Sequence, residues 1–349
     1  MTARCQPLAS TFRRIAGGLL GVAATIATPC FAQSLAGNYN AAEWTRIVAA
    51  ARKDGAVNLY SAQPAPLIAR LVAGFKSAYP DVPIEFVRLT SGALLSKVDQ
   101  ERAAGADGAD VVITSEVAWT EAFAKDGNLL RPSGPAAAEW PSRYVRSGAV
   151  VIAGLEPFVI PYNTKLVSPV PKGYADLLRP EFKGKLSTSE LNATGNIAWY
   201  DWLEKTQGAD FLLKLKAQAP RIVTGSVPAA QSVASGEHVI AALGLPSSAK
   251  PMIQQGAPID YVVPNPAFGV EYPIAAVKWS KRPNASLVLL DYLMSRAGQS
   301  AWHGQGETAS PLANIPGSLS AATITPYDPA TYTPEKVKSY RDYWTKIFK

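Results

Sequence analysis

Residues 158–186, FVIPYNTKLVSPVPKGYADLLRPEFKGKL, hold two strand starts separated by a polar, proline-rich passage. Apolar Phe158, Val159 and Ile160 run ahead of Pro161, the chain turns polar at Tyr162-Asn163-Thr164-Lys165, and Lys183-Gly184-Lys185 punctuates the way into a further strand at Leu186. Strands and helices alternate on both sides of this break. Upstream, residues 57–60, 84–87 and 109–113 read as strands. Residues 67–79, 93–103 and the run to Lys125 carry the helical period between and after them, and an amphipathic helix over 41–54 leads the series. Downstream, a strand at 185–188 precedes Asn192-Ala193-Thr194-Gly195-Asn196, which caps a helix running to Lys205, and residues 211–217 and 228–235 are helical. A buried strand over 238–245 breaks at Pro246-Ser247-Ser248, and strands at 259–264 and 274–277 lead back to the first half. A buried helix over 284–295 and a last helix after Tyr332 complete the chain, with 131–135 and 315–329 as surface connections. Such alternation predicts an α/β fold with mostly parallel sheets.

The two ends of the break carry ordered motifs: Tyr162-Asn163-Thr164-Lys165-Leu166-Val167, then Asp176-Leu177-Leu178-Arg179-Pro180-Glu181-Phe182-Lys183-Gly184-Lys185. They resemble the passage between lobes in bacterial ABC-transporter solute-binding proteins of the ferric-ion-binding type, with Tyr174 where that family often has Trp. Tyr60-Ser61-Ala62, Thr90-Ser91-Gly92 with Lys97, Gly108-Ala109-Asp110-Val111-Val112 and the ending Ser295-Arg296-Ala297-Gly298-Gln299 are similar to the same family. The resemblance implies a two-lobed, type II periplasmic-binding-protein fold, each lobe a mixed sheet flanked by helices, with the ligand cleft between them. It places residues 33–158 and 259–310 in lobe 1, and 159–258 and 311–349 in lobe 2.

Arg4, Arg13 and Arg14 ahead of the apolar run 15–26, followed by Cys30-Phe31-Ala32, read as a signal peptide (residues 1–32) cleaved after Ala32. The run falls short of the roughly 20 residues that a permanent span needs. Both cysteines, Cys5 and Cys30, lie in this leader, so the processed chain would have no thiol chemistry. Losing three of the 34 basic residues leaves 31 against 27 acidic, a mild positive balance without basic–aromatic blocks. Nucleic acid is therefore a poor partner.

Four polar strand-to-helix junctions carry the candidate site: Ser61 and Gln63; Ser91 and Gly92; Ser115 and Glu116; Thr194, Gly195 and Asn196. In an open α/β sheet such junctions gather beyond the strands' carboxyl ends, where helix N-termini favour anions. Ser247 adds a hydroxyl, and Tyr162 and Tyr272 are candidate cleft-wall phenols. Trp119, Trp199 and Tyr200 either stack on an organic ligand or pack in helix cores.

The resemblance raises ferric iron as an alternative cargo. The tyrosine pair that iron-binding members carry is replaced here by Gly244-Leu245-Pro246-Ser247-Ser248, which leaves Glu116, Tyr162 and Tyr272 as possible ligands. A small organic anion (phosphate, phosphonate or carboxylate) is the favoured ligand, with no cofactor. The resemblance further implies delivery to an inner-membrane ABC permease by a periplasmic protein, expected as a monomer. An exported hydrolase on a similar scaffold is a further alternative, but enzyme chemistry finds little support. Only His238 and His303 are present, and there is no nucleophile elbow, phosphate loop or paired-histidine metal motif.

Overall fold

The computed structural model describes Leu35, Gly37 and residues 39–349; the leader and the cleavage expected after Ala32 lie outside the described residues. The strands fall into three consecutive groups. β1 (Val57–Ser61), β2 (Ile84–Arg88), β3 (Val111–Ile113), β4 (Val145–Arg146) and β5 (Val150–Pro157) enter a larger sheet. β6 (Ile160–Asn163), β7 (Leu186–Ser189), β8 (Arg221–Val223), β9 (Ile240–Ala241) and β10 (Ile259–Val262) form a smaller one, ordered β10-β6-β9-β7-β8. β11 (Ala267–Ala276), β12 (Ala309–Ser310), β13 (Leu319–Ser320) and β14 (Ile324–Pro326) then return to the larger sheet, whose main order is β13-β12-β5-β11-β3-β1-β2. β1 pairs in parallel with β2 and β3, whereas β11 runs antiparallel to β3 and β5.

The helices are α1 (Ala41–Ala51), α2 (Ala65–Ala78), α3 (Ser91–Ala103), α4 (Val117–Lys125), α5 (Pro135–Ala138), α6 (Thr194–Gln207), α7 (Phe211–Ala217), α8 (Ser226–Ser235), α9 (Pro246–Gln254), α10 (Pro283–Met294), α11 (Arg296–His303) and α12 (Pro334–Phe348). Among the described residues no helix is long and apolar enough to cross a membrane.

The break in residues 158–186 is where the chain leaves the larger sheet. β5 ends at Pro157, and Val159 exchanges both backbone hydrogen bonds with Gly244 (3.0 and 2.9 Å) as β6 begins. Two short 3-10 turns, Tyr174–Leu178 and Pro180–Phe182, then lay Tyr174 against α6. Its ring meets Trp199 and Trp202 edge-on at 5.6 and 5.7 Å, and its hydroxyl accepts from Trp199 Nε1 at 3.0 Å. Trp202 stacks on Phe268 of β11 (5.0 Å), and Phe158 packs beside Phe268 and Trp199. An aromatic cluster thus fills the junction where both connecting passages run, and each fully buried side chain of this size contributes about 2–3 kcal/mol. Trp199 and Tyr200 are core residues, and Trp119 packs on Phe123 at 4.2 Å.

Strand pairing relocates three segments relative to the sequence reading. Residues 259–262, expected with the first half, pair antiparallel with β6, Ile259 opposite Asn163. β13 and β14, in a stretch expected as a surface connection of the second half, pair with β12 and β11 of the larger sheet. Of the strand expected over 238–245, only Ile240 and Ala241 form β9. Pro246 does not break a strand but opens α9, since proline at the first helical position forfeits no helical hydrogen bond.

The Ser295-to-Gln299 motif has a structural cause. Ser295 Oγ accepts from Gly298 N at 3.1 Å and caps α11, and Gln299 Nε2 donates to Ala153 O and Leu293 O, tying α11 to β5. α12 packs on α6 and α7 through Tyr340, Trp344 and Phe348, with the Tyr340 hydroxyl on Glu204 at 2.6 Å.

Candidate ligand cleft

A cavity of about 220 Å³ lies where the carboxyl ends of strands from both sheets face each other. From the larger sheet's side it is lined by Ala62, Arg88, Thr90, Ser91, Ser115 and Tyr272. From the smaller sheet's side come Asn192, Gly195, Asn196 and the turn Thr224-Gly225-Ser226, with Phe158 and Leu245 as apolar wall.

Arg88 is the one charged side chain on this lining, and it makes no hydrogen bond or ion pair among the described residues. It ends β2, three residues ahead of Ser91, the first residue of α3. The backbone N–H groups of Ser91 and Gly92 at that turn, and of Ser226 and Val227 at the start of α8, likewise reach no acceptor among the described residues. Neither helix is capped by a side chain. Two helix N-termini, each worth about half a positive charge, therefore open on the same space as a free guanidinium. Ser91 Oγ lies 2.9 Å from Ser115 Oγ and accepts from Ser115 N at 3.1 Å, which fixes both hydroxyls at the mouth.

The other two junctions are occupied from within. Thr194 was expected to cap α6, yet the cap residue is Ala193, and the Thr194 N–H donates to Glu116 Oε1 at 2.8 Å. Glu116 belongs to the larger half and is buried, and that burial raises its pKa against the lowering effect of the Thr194 bond. At α9 the Ser247 N–H donates to Glu156 Oε1 (2.8 Å), while the Tyr272 hydroxyl donates to Glu156 Oε2 (2.8 Å). Burial pushes the Glu156 carboxyl up to about 7 and, with the Glu156 charge beside it, drives the Tyr272 phenol well above its ordinary value. In both cases a carboxylate of one half neutralises a helix start of the other.

Of the residues singled out from sequence, Ser91, Ser115, Gly195, Asn196 and Tyr272 line the cavity. Asn196 has little to offer a ligand as a donor, because its Nδ2 already faces Ser189 Oγ, Glu190 O and Asn192 Oδ1 within 3.1 Å. Gly92, Glu116, Thr194 and Ser247 sit where the halves meet; a Cβ on Gly92 would stand 2.7 Å from Asn192 O. Ser61 and Gln63 are fully buried behind Ala62. Tyr162 pairs between β10 and β9 and does not line the cavity. The structure therefore does not gather Glu116, Tyr162 and Tyr272 into one ligand set, and no group of three or more His, Cys, Asp or Glu suited to a metal occurs among the described residues. Sequence reasoning missed Arg88, Glu156 and the α8 turn. A basic residue closing a strand just before a Thr-Ser-Gly helix start was the available signal for the first.

The profile of the bacterial extracellular solute-binding protein family matches residues 57–307. The chain belongs to this family. No curated protein sequence matches this solute-binding protein significantly. Among solved structures it resembles the substrate-binding protein of an ABC transporter from Agrobacterium tumefaciens (TM-score 0.75, 18% identity, 84% of this chain and 94% of that one). It also resembles iron-bound HitA of Pseudomonas aeruginosa (TM-score 0.67, 20% identity, 84% and 99%). The third is AfuA of Actinobacillus pleuropneumoniae with fructose-6-phosphate bound (TM-score 0.68, 18% identity, 84% and 98%). At these identities the likeness speaks to fold: this solute-binding protein has the two-lobed periplasmic-binding-protein architecture.

Proposed function

We propose that this protein is the periplasmic binding component of an ABC importer and captures a small organic anion of phosphate, phosphonate or carboxylate type. The observation that carries the reading is Arg88, an unpaired guanidinium on the cavity wall beside the uncapped starts of α3 and α8. A guanidinium donates to two anion oxygens at once, and the free N–H groups of two helix starts add further donors.

The proposed lobes follow the sheets: residues up to 157 and 267–326 in one, 160–262 and the terminal helix in the other, with the passages 158–159 and 263–266 as hinges. A ligand touching both halves binds best when they are closed, which selects the closed state for docking on an inner-membrane permease. The exported protein acts as a monomer and performs no reaction. Ferric iron fits the cleft less well, because the Tyr272 phenol is held protonated and donates to Glu156, and Tyr162 lies off the cavity.

The test is calorimetric titration of the wild type and Arg88→Ala with a panel of organic phosphates, phosphonates and carboxylates. Loss of a hydrogen-bonded charge costs about 1.5–3 kcal/mol, or roughly 10- to 150-fold in affinity. An anion bound equally by both proteins refutes the reading, and a visible absorption band on adding ferric salt transfers it to iron.

A further inference from the structure

Away from Arg88, the polar side chains on the cleft wall are largely matched to one another. The Ser91 and Ser115 hydroxyls pair at 2.9 Å, and Ser226 Oγ stands 2.8 Å from Ser248 Oγ. Asn192 Nδ2 donates to Thr224 O at 3.0 Å, while its Oδ1 accepts from Asn196 Nδ2 at 3.0 Å. The Tyr272 hydroxyl is turned to Glu156. Asn196 Oδ1 and the Thr90 and Thr224 hydroxyls are what remains among the described residues, and Thr224 is exposed.

The rest of the wall is apolar and continuous. Phe158, Leu243 and Val270 belong to the main hydrophobic core, and Leu245 packs against it. The backbone pairing of Val159 with Gly244 sets Phe158 beside the run Leu243-Gly244-Leu245. A Cβ on Gly195 would stand 2.6 Å from Val270 Cγ1 and 3.6 Å from Phe158 Cζ, which joins these two side chains into the same floor. Val227, in the first turn of α8, lines the space from the smaller half.

Charge is confined to one place. Glu116 and Glu156 occupy the starts of α6 and α9, so an anion finds open helix starts only at α3 and α8, beside Arg88. A second anionic group on the ligand would meet either apolar wall or a carboxylate. A hydroxyl laid on the floor would leave water without gaining a hydrogen-bond partner, whereas an alkyl or aryl group gains from the same transfer. We infer that the cleft selects an anion with a single charged head and an alkyl or aryl body, against hydroxylated or doubly charged molecules of the same size. This inference rests on the anion reading of the cleft and adds the chemistry of the rest of the ligand.

The probes form two arms that share their bodies and differ in head. One is propylphosphonate with methylphosphonate and 2,3-dihydroxypropylphosphonate; the other is butyrate with acetate, 3,4-dihydroxybutyrate and succinate. Each is titrated into the wild type, Val227→Thr, Val270→Thr and Arg88→Ala. In the arm whose head the cleft accepts, the wild type should bind the propyl-bodied member about tenfold more tightly than the methyl-bodied one. It should bind the dihydroxylated member roughly 10- to 100-fold less tightly than the propyl-bodied one, and succinate no better than acetate. The two threonine variants keep the side-chain shape and add a hydroxyl from either half, so each should narrow the preference over the dihydroxylated probe about fivefold. Val227 is half-buried, so Val227→Thr should keep the wild-type melting temperature and reads the preference even where Val270→Thr does not fold. Arg88→Ala should weaken every probe. Equal or tighter wild-type binding of the dihydroxylated probes or of succinate, or a preference that Val227→Thr leaves unchanged, overturns the apolar-body assignment while the Arg88 result stands. Binding of no probe, or binding untouched by Arg88→Ala, refutes the anion reading itself and this inference with it.

Discussion

Replacing Glu156 by Gln tests the electrostatics where the two halves meet. The carboxyl is buried, accepts from Ser247 N and Tyr272 Oη, and titrates at about 7 because burial disfavours its charge; Glu307 nearby pushes in the same direction. In the unfolded chain it would titrate near 4.5. The folded state thus holds this proton more tightly, so the contribution to stability is fully present below pH 4.5 and is lost as pH rises through about 7. Integrated between pH 5 and pH 8, the loss is about 2.5 kcal/mol. Glutamine preserves the geometry, since its oxygen accepts from Ser247 N and its nitrogen donates to the Tyr272 oxygen, but it cannot ionise. Thermal melts of both proteins across this range should therefore show the variant gaining on the wild type by about 5 °C from pH 5 to pH 8, at about 2 °C per kcal/mol. Glu116, Glu271 and Asp291, whose pKa values burial also raises, titrate in both proteins and cancel in the difference. A flat difference, or one that favours the wild type as pH rises, refutes the reasoning.

Gly92→Val places branched carbon against Asn192 O, which a Cβ would already approach to 2.7 Å. It should wedge the halves apart, enlarging the radius of gyration in X-ray scattering and weakening anion binding at least tenfold with little change in melting temperature; unaltered scattering and affinity count against the contact. Gly298→Ala puts a Cβ 2.0 Å from the Tyr292 carbonyl at the corner between α10 and α11. The overpacking should cost about 3 kcal/mol and lower the melting temperature by about 6 °C, while ligand affinity of the folded protein stays the same.

Much of the architecture was legible because its signals are local. The strand–helix alternation before Lys125, the polar break after Phe158 and the buried helix near Leu289 each declare themselves within a dozen residues. Where the reading slipped, the deciding interaction lay far along the chain. Ile259 joins the smaller sheet because Asn163 stands opposite it, and Ile324 joins the larger because Ala267 does. Sequence marks the polar helix starts, yet it does not reveal that Glu116 and Glu156 reach across to occupy two of them. Glu156 sits within an apolar strand, 91 residues from the N–H it accepts. Arg88 closes a strand whose Glu85 and Phe86 are also exposed, so only the assembled cleft distinguishes it from an ordinary surface cation.

The exchange of carboxylates between halves also bears on time. Glu116 holds α6 and Glu156 holds α9 across the meeting of the halves. With each such bond worth about 1.5 kcal/mol, breaking both lowers the ready-to-load fraction by about two orders of magnitude. Capture is then gated by spontaneous opening, so the association rate should saturate at high ligand concentration. The same carboxylates slow the departure of a molecule already inside, so release waits for something else to prise the lobes apart.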